Sequence, residues 1–317
     1  MLPATLSPRQ RWLYALKPQS WPKLLVPALL GQALGISATG QIALRGLALG
    51  ALFTALDACY IVFLNDWGDR EVDAIKRQMF PHGGSPKTIC DGILPAGQVL
   101  AAGISAGIAA FAVACISSAL LHRWELAAIG GACLLLFSSY SLPPIRLNYR
   151  GGGELLEAVG VGIALPAFNA YTPGGAAGAL ARTSLAVLPA FVFLSIASAI
   201  ASGLSDEESD RAGGKSTIAT RLGNRRARAV VELFCAAAIV AWGIASWCMP
   251  HVLPLWVSLP AISIVFFQLL RLRDVSPRAV TNAFREQGAY KTQLHRGIWF
   301  GTAALAVLLG IASRLHA

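Results

Sequence analysis

Long apolar runs recur along the chain, and they constrain the fold more than any other feature. A membrane-spanning helix needs about 20 consecutive, predominantly apolar residues. Nine runs have roughly that length, at residues 21–40, 46–65, 98–120, 124–142, 154–172, 184–204, 229–249, 252–270 and 296–314. A chain in lipid must satisfy its backbone polar groups internally, which such runs do as helices. The sequence therefore predicts an all-α integral membrane protein with about nine transmembrane helices.

Composition supports one membrane domain and no soluble one. The chain is 55% hydrophobic and 13% charged, whereas soluble domains carry about 25% charged residues. We expect a single transmembrane domain over residues 1–317. Acidic segments follow the second helix of each of two four-helix groups, which indicates possible parallel repeats over 20–143 and 153–271, plus a ninth helix.

Positive charge is concentrated on one side of the predicted topology. The segments before helix 1 and after helices 2, 4, 6 and 8 hold 22 of the 26 Lys and Arg residues. By the positive-inside rule, the N-terminus and these segments face the cytoplasm. We expect a multi-pass protein of the bacterial inner membrane. The net charge of +10 has this membrane explanation, so a nucleic-acid partner is not expected.

Two clusters of acidic residues interrupt the apolar pattern, each where an apolar run ends. They share a four-residue spacing and read Asn65-Asp66-x-x-Asp69-x-x-x-Asp73 and Asp206-x-x-x-Asp210. On a continuous helix, each set falls within about a quarter of the circumference. Ionisable groups beside a bilayer are costly and usually functional. Helices 2 and 6 run in the same direction, so both clusters are predicted at one end of the bundle.

The cluster side chains suit a divalent cation and a diphosphate. Mg²⁺ prefers carboxylate or amide oxygens together with water and substrate phosphates. None of the five histidines lies in either cluster, which argues against zinc. Lys87, Arg146 and Lys215 lie on the same predicted side and are cations for phosphate. The alternative is that the acids solvate helix ends or pair with Arg70 and Arg211; two clusters of matched spacing and orientation favour the metal site.

Three segments, in this order, resemble the signatures of the UbiA superfamily of intramembrane prenyltransferases. They are Asn65-Asp66-x-x-Asp69-x-x-x-Asp73, Tyr140-Ser-x-Pro-Pro-x-Arg146 and Asp206-x-x-x-Asp210-x-x-x-Gly214-Lys215-x-Thr217. The resemblance spans nearly the whole chain. It implies a helical bundle around a central, lipid-open cavity. It also implies Mg²⁺ as cofactor, an allylic polyprenyl diphosphate as donor and an aromatic or lipophilic acceptor as partner.

The resemblance also implies roles for single residues. The implied metal ligands are Asn65, Asp69, Asp206 and Asp210. The implied catalytic carboxylates are Asp66, Asp69, Asp73, Asp206 and Asp210, of which Asp66 and Asp73 act around the metal ligands or through water. The implied substrate-binding residues are Lys87, Tyr140, Arg146, Glu154 and Lys215.

Two parts of the sequence point to different acceptors. The segment Gly83-Gly84-Ser85, followed by Gly92-x-Leu94, resembles the dihydroxynaphthoate branch of the family. The run from Asn65 to Ile75 resembles the chlorophyll-synthase branch. We expect quinone-type lipid biosynthesis with a dihydroxynaphthoate- or hydroxybenzoate-like acceptor. A chlorophyllide-like or sugar phosphate acceptor is the alternative.

For other charged residues near the predicted cavity, the sequence allows two roles each. Glu154 and Glu157 either steer or deprotonate the acceptor, or only begin an interfacial helix. Asp57 either lines the cavity or pairs with a hydroxyl. Lys17 and Lys23 either meet an acceptor carboxylate or lie along the interface with their charges in water.

An ion-coupled transporter is the rival function from another class. Transporters place their ion-binding groups near the bilayer midplane in broken helices, often within inverted repeats. Here the acids lie at predicted helix ends, and the possible repeats are parallel. This difference favours the enzyme.

Overall fold

The computed structural model describes residues 6–81, 83 and 85–315. His82 and Gly84 lie outside the described residues, and Gly84 belongs to the Gly-Gly-Ser segment compared above. The α-helices are α1 Pro8–Leu16, α2 Pro22–Thr39, α3 Leu44–Gly68, α4 Arg70–Met79, α5 Ala96–Leu121, α6 Glu125–Ser141, α7 Leu147–Arg150, α8 Gly153–Val159, α9 Leu165–Ala179, α10 Arg182–Gly203, α11 Glu207–Ala212, α12 Ile218–Leu222, α13 Asn224–Cys248, α14 Leu255–Val275 and α15 Phe284–Leu315.

The predicted all-α membrane fold is confirmed. In the described part of the chain, seven segments are long and apolar enough to cross a bilayer: Leu44–Gly68, Ala96–Leu121, Gly153–Ala179, Arg182–Ala212, Asn224–Cys248, Leu255–Arg278 and Phe284–Leu315. The other two predicted runs are the shorter helices α2, of 18 residues, and α6, of 17 residues. All nine predicted runs are therefore helical, and nine is an approximate count of spans.

The last predicted loop was partly wrong. The predicted runs 252–270 and 296–314 leave residues 271–295 as a connecting loop, but α14 extends to Val275 and α15 begins at Phe284. Polar residues in the first turns of α15, among them Lys291, are thus helical. Several of them face protein rather than lipid, which their polarity alone did not reveal.

Helices α2 and α9 approach each other closely at their backbones, and glycine permits it. An added Cβ on Gly31 would lie 2.2 Å from the carbonyl oxygen of Pro166, and one on Gly35 would lie 2.6 Å from that of Ala170. Small residues allow such approach between membrane helices. Helix α2 also packs on α15, so these helices form part of the wall of an internal cavity.

Residues 160–164 form a π-helical turn between α8 and α9. The fifth predicted run is therefore a helix interrupted by a wider turn. Such turns are uncommon and occur frequently at functional sites. Gly160 and Val161 of this turn line the cavity, so the irregularity lies at the site described next.

Candidate active site

A cavity of about 520 Å³ lies inside the bundle, and both acidic clusters reach it. Its wall is polar where α3 and α10 end. Farther along α3, α6 and the 153–165 segment, the wall is mainly apolar and includes Ile61, Cys133, Leu136, Phe137, Val161 and Leu165. The cavity can therefore hold a molecule with a charged head and an apolar tail.

Each acidic cluster lies at a break in its helix. Asp69, between α3 and α4, has φ −95° and ψ 1°, and Asp206, before α11, has φ −113° and ψ 1°. The prediction of one continuous helix through each cluster was wrong, because the backbone leaves helical geometry at these acids. Asp73 therefore lies on α4 and Asp210 on α11, and the packing of α4 against α11 brings the clusters together. The parallel repeat over 20–143 and 153–271 stays a prediction.

Lysines following each cluster pair with acids of the other cluster. Lys215 follows the second cluster, and its Nζ lies 2.9 Å from Asp69 Oδ2 of the first. Lys76 follows the first cluster and pairs with Asp206 of the second. The Lys215 Nζ also lies 3.9 Å from Asp210 Oδ1. These crossed ion pairs join the clusters into one charged wall.

A third lysine reaches the same wall from the loop after α4. The Lys87 Nζ lies 2.6 Å from Asp73 Oδ1. Burial acts to lower the pKa of the Lys87 ammonium, but Asp73 and Asp206 outweigh this effect and hold the pKa above its usual range. Burial raises the pKa of Asp73, and Lys87 opposes that shift. Lys87 therefore stays charged.

Lys215 is also held in its charged form. Burial acts to lower the pKa of its ammonium, but Asp69 and Asp210 hold the pKa above its usual range. The Lys215 Nζ lies 4.8 Å from the centre of the Tyr149 ring, a cation–π contact. Burial, together with the Asp69 charge, raises the pKa of Tyr149 to about 12, so this phenol is neutral.

Two amide side chains orient the Asp69 carboxylate. Asn65 Nδ2 donates to Asp69 Oδ2 at 3.3 Å, and Asn148 Nδ2 donates to Asp69 Oδ1 at 3.3 Å. Both amides line the cavity. The Asn148 Oδ1 atom is buried without a hydrogen-bond partner in the described structure. Sequence reasoning missed Asn148, although it lies two residues after Arg146 of the second resembling segment.

Asp66 and Arg146 are predicted site residues that the structure does not bring to the cavity. Asp66 pairs with Lys17 and accepts a hydrogen bond from the Thr88 backbone N–H at 3.3 Å. Arg146 donates to the Gly68 carbonyl at 2.8 Å and stacks on a neighbouring tyrosine ring. Both residues hold the end of α3 in place, so their contacts are those of positioning residues.

The remaining predicted substrate residues do line the cavity. Tyr140 stacks on Phe137 with ring centres 6.0 Å apart. Glu154 lines the cavity, and its Oε1 accepts a hydrogen bond from the Ile218 backbone N–H at 2.6 Å. This bond ties α8 to α12, downstream of the second cluster. Glu157 pairs with Lys23.

Besides Asn148, the cavity residues that were not assigned to the site from sequence include Lys76, Lys291, His295 and Trp299. Lys76 falls three residues after Asp73 on one helix face, a spacing that could have identified it. The other three recur every four residues, but the sequence was interpreted as a loop up to position 295. Helical spacing within that segment was the available signal.

Within the described residues, no three His, Cys, Asp or Glu side chains form a ready-made metal site. Lysine ammonium groups lie beside the cluster carboxylates instead. The oxygen donors available on this wall are Asn65, Asn148, Asp69, Asp73, Asp206 and Asp210. Hard oxygen donors of this kind suit Mg²⁺ and not zinc.

Comparisons with known proteins agree with this architecture. The sequence model of the UbiA prenyltransferase family matches residues 24–289. No curated protein is significantly similar to the chain in sequence. Among solved structures, a UbiA homolog from Archaeoglobus fulgidus bound to DMAPP and Mg²⁺ has 18% identity and a TM-score of 0.67, covering 94% of this chain and 99% of that chain.

Two further structures have the same fold. The A. fulgidus homolog bound to GPP and Mg²⁺ has 18% identity and a TM-score of 0.67, covering 93% of this chain and 99% of that chain. A structure concerned with digeranylgeranylglyceryl phosphate synthase has 12% identity and a TM-score of 0.61, covering 97% and 99% of the two chains.

Proposed function

Because the chain belongs to the UbiA prenyltransferase family, we propose that it transfers a prenyl or polyprenyl group from an allylic diphosphate to an aromatic or lipophilic acceptor. We place the reaction in quinone-type lipid biosynthesis. One observation carries the proposal: both acidic clusters and three lysines meet on one wall of a cavity whose wall farther along α3 and α6 is mainly apolar. The A. fulgidus homolog, of the same fold, is bound to allylic diphosphates with Mg²⁺.

The site residues fit Mg²⁺ that arrives with its substrate. Mg²⁺ is usually held by one or two carboxylates plus substrate phosphates rather than by an all-protein cage. The described residues offer oxygen donors but no preformed cluster, which agrees with that preference. Asn65, Asp69, Asp206 and Asp210 are the proposed ligands. When bound, Mg²⁺ supplies positive charge that stabilises the diphosphate as a leaving group.

The three cluster lysines would hold the diphosphate oxygens. Lys76, Lys87 and Lys215 are ion-paired with carboxylates, and each would exchange a carboxylate oxygen for a phosphate oxygen when substrate enters. Charge-assisted bonds of this kind are strong. Their positive charge opposes the negative charge that grows on the diphosphate as the C–O bond breaks.

The apolar wall would protect the reactive prenyl group. Breaking the C–O bond leaves an allylic carbocation, and side chains such as Ile61 and Phe137 exclude the water that would quench it. The acceptor atom then bonds to the prenyl C1 carbon. The proton that the acceptor loses passes to a cavity carboxylate or to the departing diphosphate.

Cavity size favours a small ring acceptor. A space of about 520 Å³ must hold the diphosphate, the first isoprene units and the acceptor head, and pockets for single small ligands already measure about 300–1,000 Å³. A dihydroxynaphthoate- or hydroxybenzoate-like ring fits this limit better than a tetrapyrrole. This acceptor class is therefore our first choice.

Charge placement supports a cytoplasmic active site in a bacterial inner membrane. The basic residues cluster on the side of the bundle that carries the acidic clusters. Cys90 lies on that side, and the exposed Cys248 ends α13 on the other. A membrane-impermeant thiol reagent added to intact cells should label Cys248 and spare Cys90; labelling of Cys90 would reverse the proposed orientation.

Label transfer tests the proposed function. Purified protein with Mg²⁺ and a labelled allylic diphosphate should transfer label to one member of an acceptor panel: dihydroxynaphthoate, hydroxybenzoate, homogentisate and chlorophyllide. Asp69→Asn or Asp210→Asn should lower the rate by about 100-fold or more, because each removes charge from the site. Asp274→Asn, at an exposed acid on α14, is the matched control. Full activity of both site variants, or activity in excess chelator, would exclude the metal assignment.

A further inference from the structure

Six lysines line the cavity, and one of them differs from the rest. They are Lys17, Lys23, Lys76, Lys87, Lys215 and Lys291. The first five each form an ion pair with a carboxylate. Lys291 has neither a hydrogen bond nor an ion pair to any described residue. An ammonium facing a protein cavity without a partner is costly, so this position is suited to an anionic ligand.

Lys291 heads a stripe of three residues on α15. Lys291, His295 and Trp299 follow one another at four-residue spacing, and all three line the cavity. The His295 ring stacks on the Trp299 ring, with centres 4.9 Å apart and planes 17° apart. His295 Nε2 lies 3.2 Å from the Ser198 hydroxyl, which fixes the imidazole. The stripe therefore combines a cation with a flat aromatic wall.

Lys291 lies beside the charged wall formed by the two acidic clusters, and the charges around it do not neutralise its own charge. The charges that act on it are those of Lys23, Asp206, Glu157 and Lys76. These four residues are already joined as the pairs Lys23–Glu157 and Lys76–Asp206. The charge of Lys291 therefore has no paired carboxylate among the described residues, and it lies next to the place where the prenyl donor would react.

We infer that Lys291, with the His295–Trp299 wall, binds the acceptor, and that it selects acceptors carrying a carboxylate on an aromatic ring. This inference rests on the proposed function. The carboxylate would pair with Lys291, and the ring would lie against the aromatic wall, since aromatic groups favour stacked or edge contacts. Lys17 and Lys23, considered for this role from sequence, are paired with Asp66 and Glu157 instead.

The diphosphate is the less suitable ligand for Lys291. Three other lysines already stand among the cluster carboxylates, and all three come from α4 and the segments that follow the clusters. Lys291 comes from α15, and the stripe continues from it into aromatic rather than charged residues. A substitution at Lys291 should therefore weaken acceptor binding and leave diphosphate binding nearly unchanged.

Matched acceptors test the inference. Hydroxybenzoate and hydroxybenzamide share a ring and differ in charge. Lys291→Met should lower kcat/KM for hydroxybenzoate by about 10- to 100-fold, the worth of a hydrogen bond to a charged group. It should change kcat/KM for hydroxybenzamide and KM for the diphosphate by less than about threefold. Lys291→Arg should retain much of the selectivity. Arg296→Met, at an exposed position of α15, is the control.

Two outcomes would overturn the inference. One is an equal loss with both acceptors, and the other is a raised KM for the diphosphate with an unchanged KM for hydroxybenzoate. Equilibrium binding of labelled hydroxybenzoate, measured without any diphosphate, decides the point even if no transfer occurs. Wild-type protein should bind it and Lys291→Met should not; equal binding rejects the inference independently of the proposed reaction. Lys291→Gln replaces Lys291→Met if the latter does not fold.

Discussion

Asp57 is a buried carboxyl group that faces the apolar part of the cavity. It lies two turns before Asn65 on α3, is 3% exposed, and lines the cavity near Ile61 and Cys133. Its Oδ1 atom has no hydrogen-bond partner in the described structure. Of the two alternatives from sequence, lining the cavity is therefore correct. An unsatisfied buried polar group costs about 1–3 kcal/mol, so we expect Asp57 to lower stability where it stands.

Replacing Asp57 should accordingly stabilise the empty protein. We expect Asp57→Leu to raise the free energy of unfolding by about 1–3 kcal/mol, because leucine suits the apolar wall and removes the unsatisfied oxygen. Thermal unfolding of the purified protein in detergent measures this. Asp57→Asn keeps the shape and a polar group, so it should raise the free energy of unfolding much less. A lower Tm for Asp57→Leu than for wild type would mean that the carboxyl group makes a stabilising contact.

At single residues, sequence reasoning succeeded where spacing determined side-chain direction. Asp69 and Lys215 reach the cavity as predicted. Asp66 does not, although its helical position predicted the same face, because its carboxylate pairs with Lys17 and with the Thr88 backbone N–H. That ion pair joins residues 49 positions apart, so no local pattern predicts it. The roles proposed for these residues remain predictions.

The short helices α4 and α11 form the element on which the site depends. They follow the breaks at Asp69 and Asp206, and their packing places the two clusters side by side. Gly213, just after α11, lies against Val72 of α4: an added Cβ would be 2.5 Å from Val72 Cγ2. Val72 is buried and branched at Cβ, so it cannot easily move aside.

Enlarging Gly213 should therefore separate the two clusters. Gly213→Ala should lower stability by about 1–3 kcal/mol, the usual cost of overpacking, and should weaken diphosphate binding. Its backbone has a negative φ of −86°, so alanine strains only the packing. Gly243→Ala is the control, since an added Cβ there meets nothing within 4 Å and alanine favours a helix interior. Diphosphate affinity equal in both variants would refute the role given to this contact.

Over the whole molecule, the sequence predicted the helices well and their interruptions poorly. Apolar runs such as 98–120 coincide with helices because the bilayer demands about 20 apolar residues. The early start of α15 was missed because polar residues around an internal cavity have the composition of a loop, so residue type alone does not distinguish a helix from a loop there. The breaks at Asp69 and Asp206 were missed because a four-residue spacing fits a continuous helix equally well. The crossed pairs Lys76–Asp206 and Lys215–Asp69 depend on tertiary packing.

The central claim is that the two acidic clusters act as one metal–diphosphate site. Calorimetric titration with a non-reactive allylic thiodiphosphate, with and without Mg²⁺, tests it most directly. Wild-type protein should bind the analogue about tenfold or more tightly with Mg²⁺, a coupling of ordinary size. Asp69→Asn and Asp210→Asn should each abolish that gain. The double variant should lose little more affinity for the analogue than either single variant loses. Fully additive losses, or an affinity that Mg²⁺ does not change, would contradict the claim.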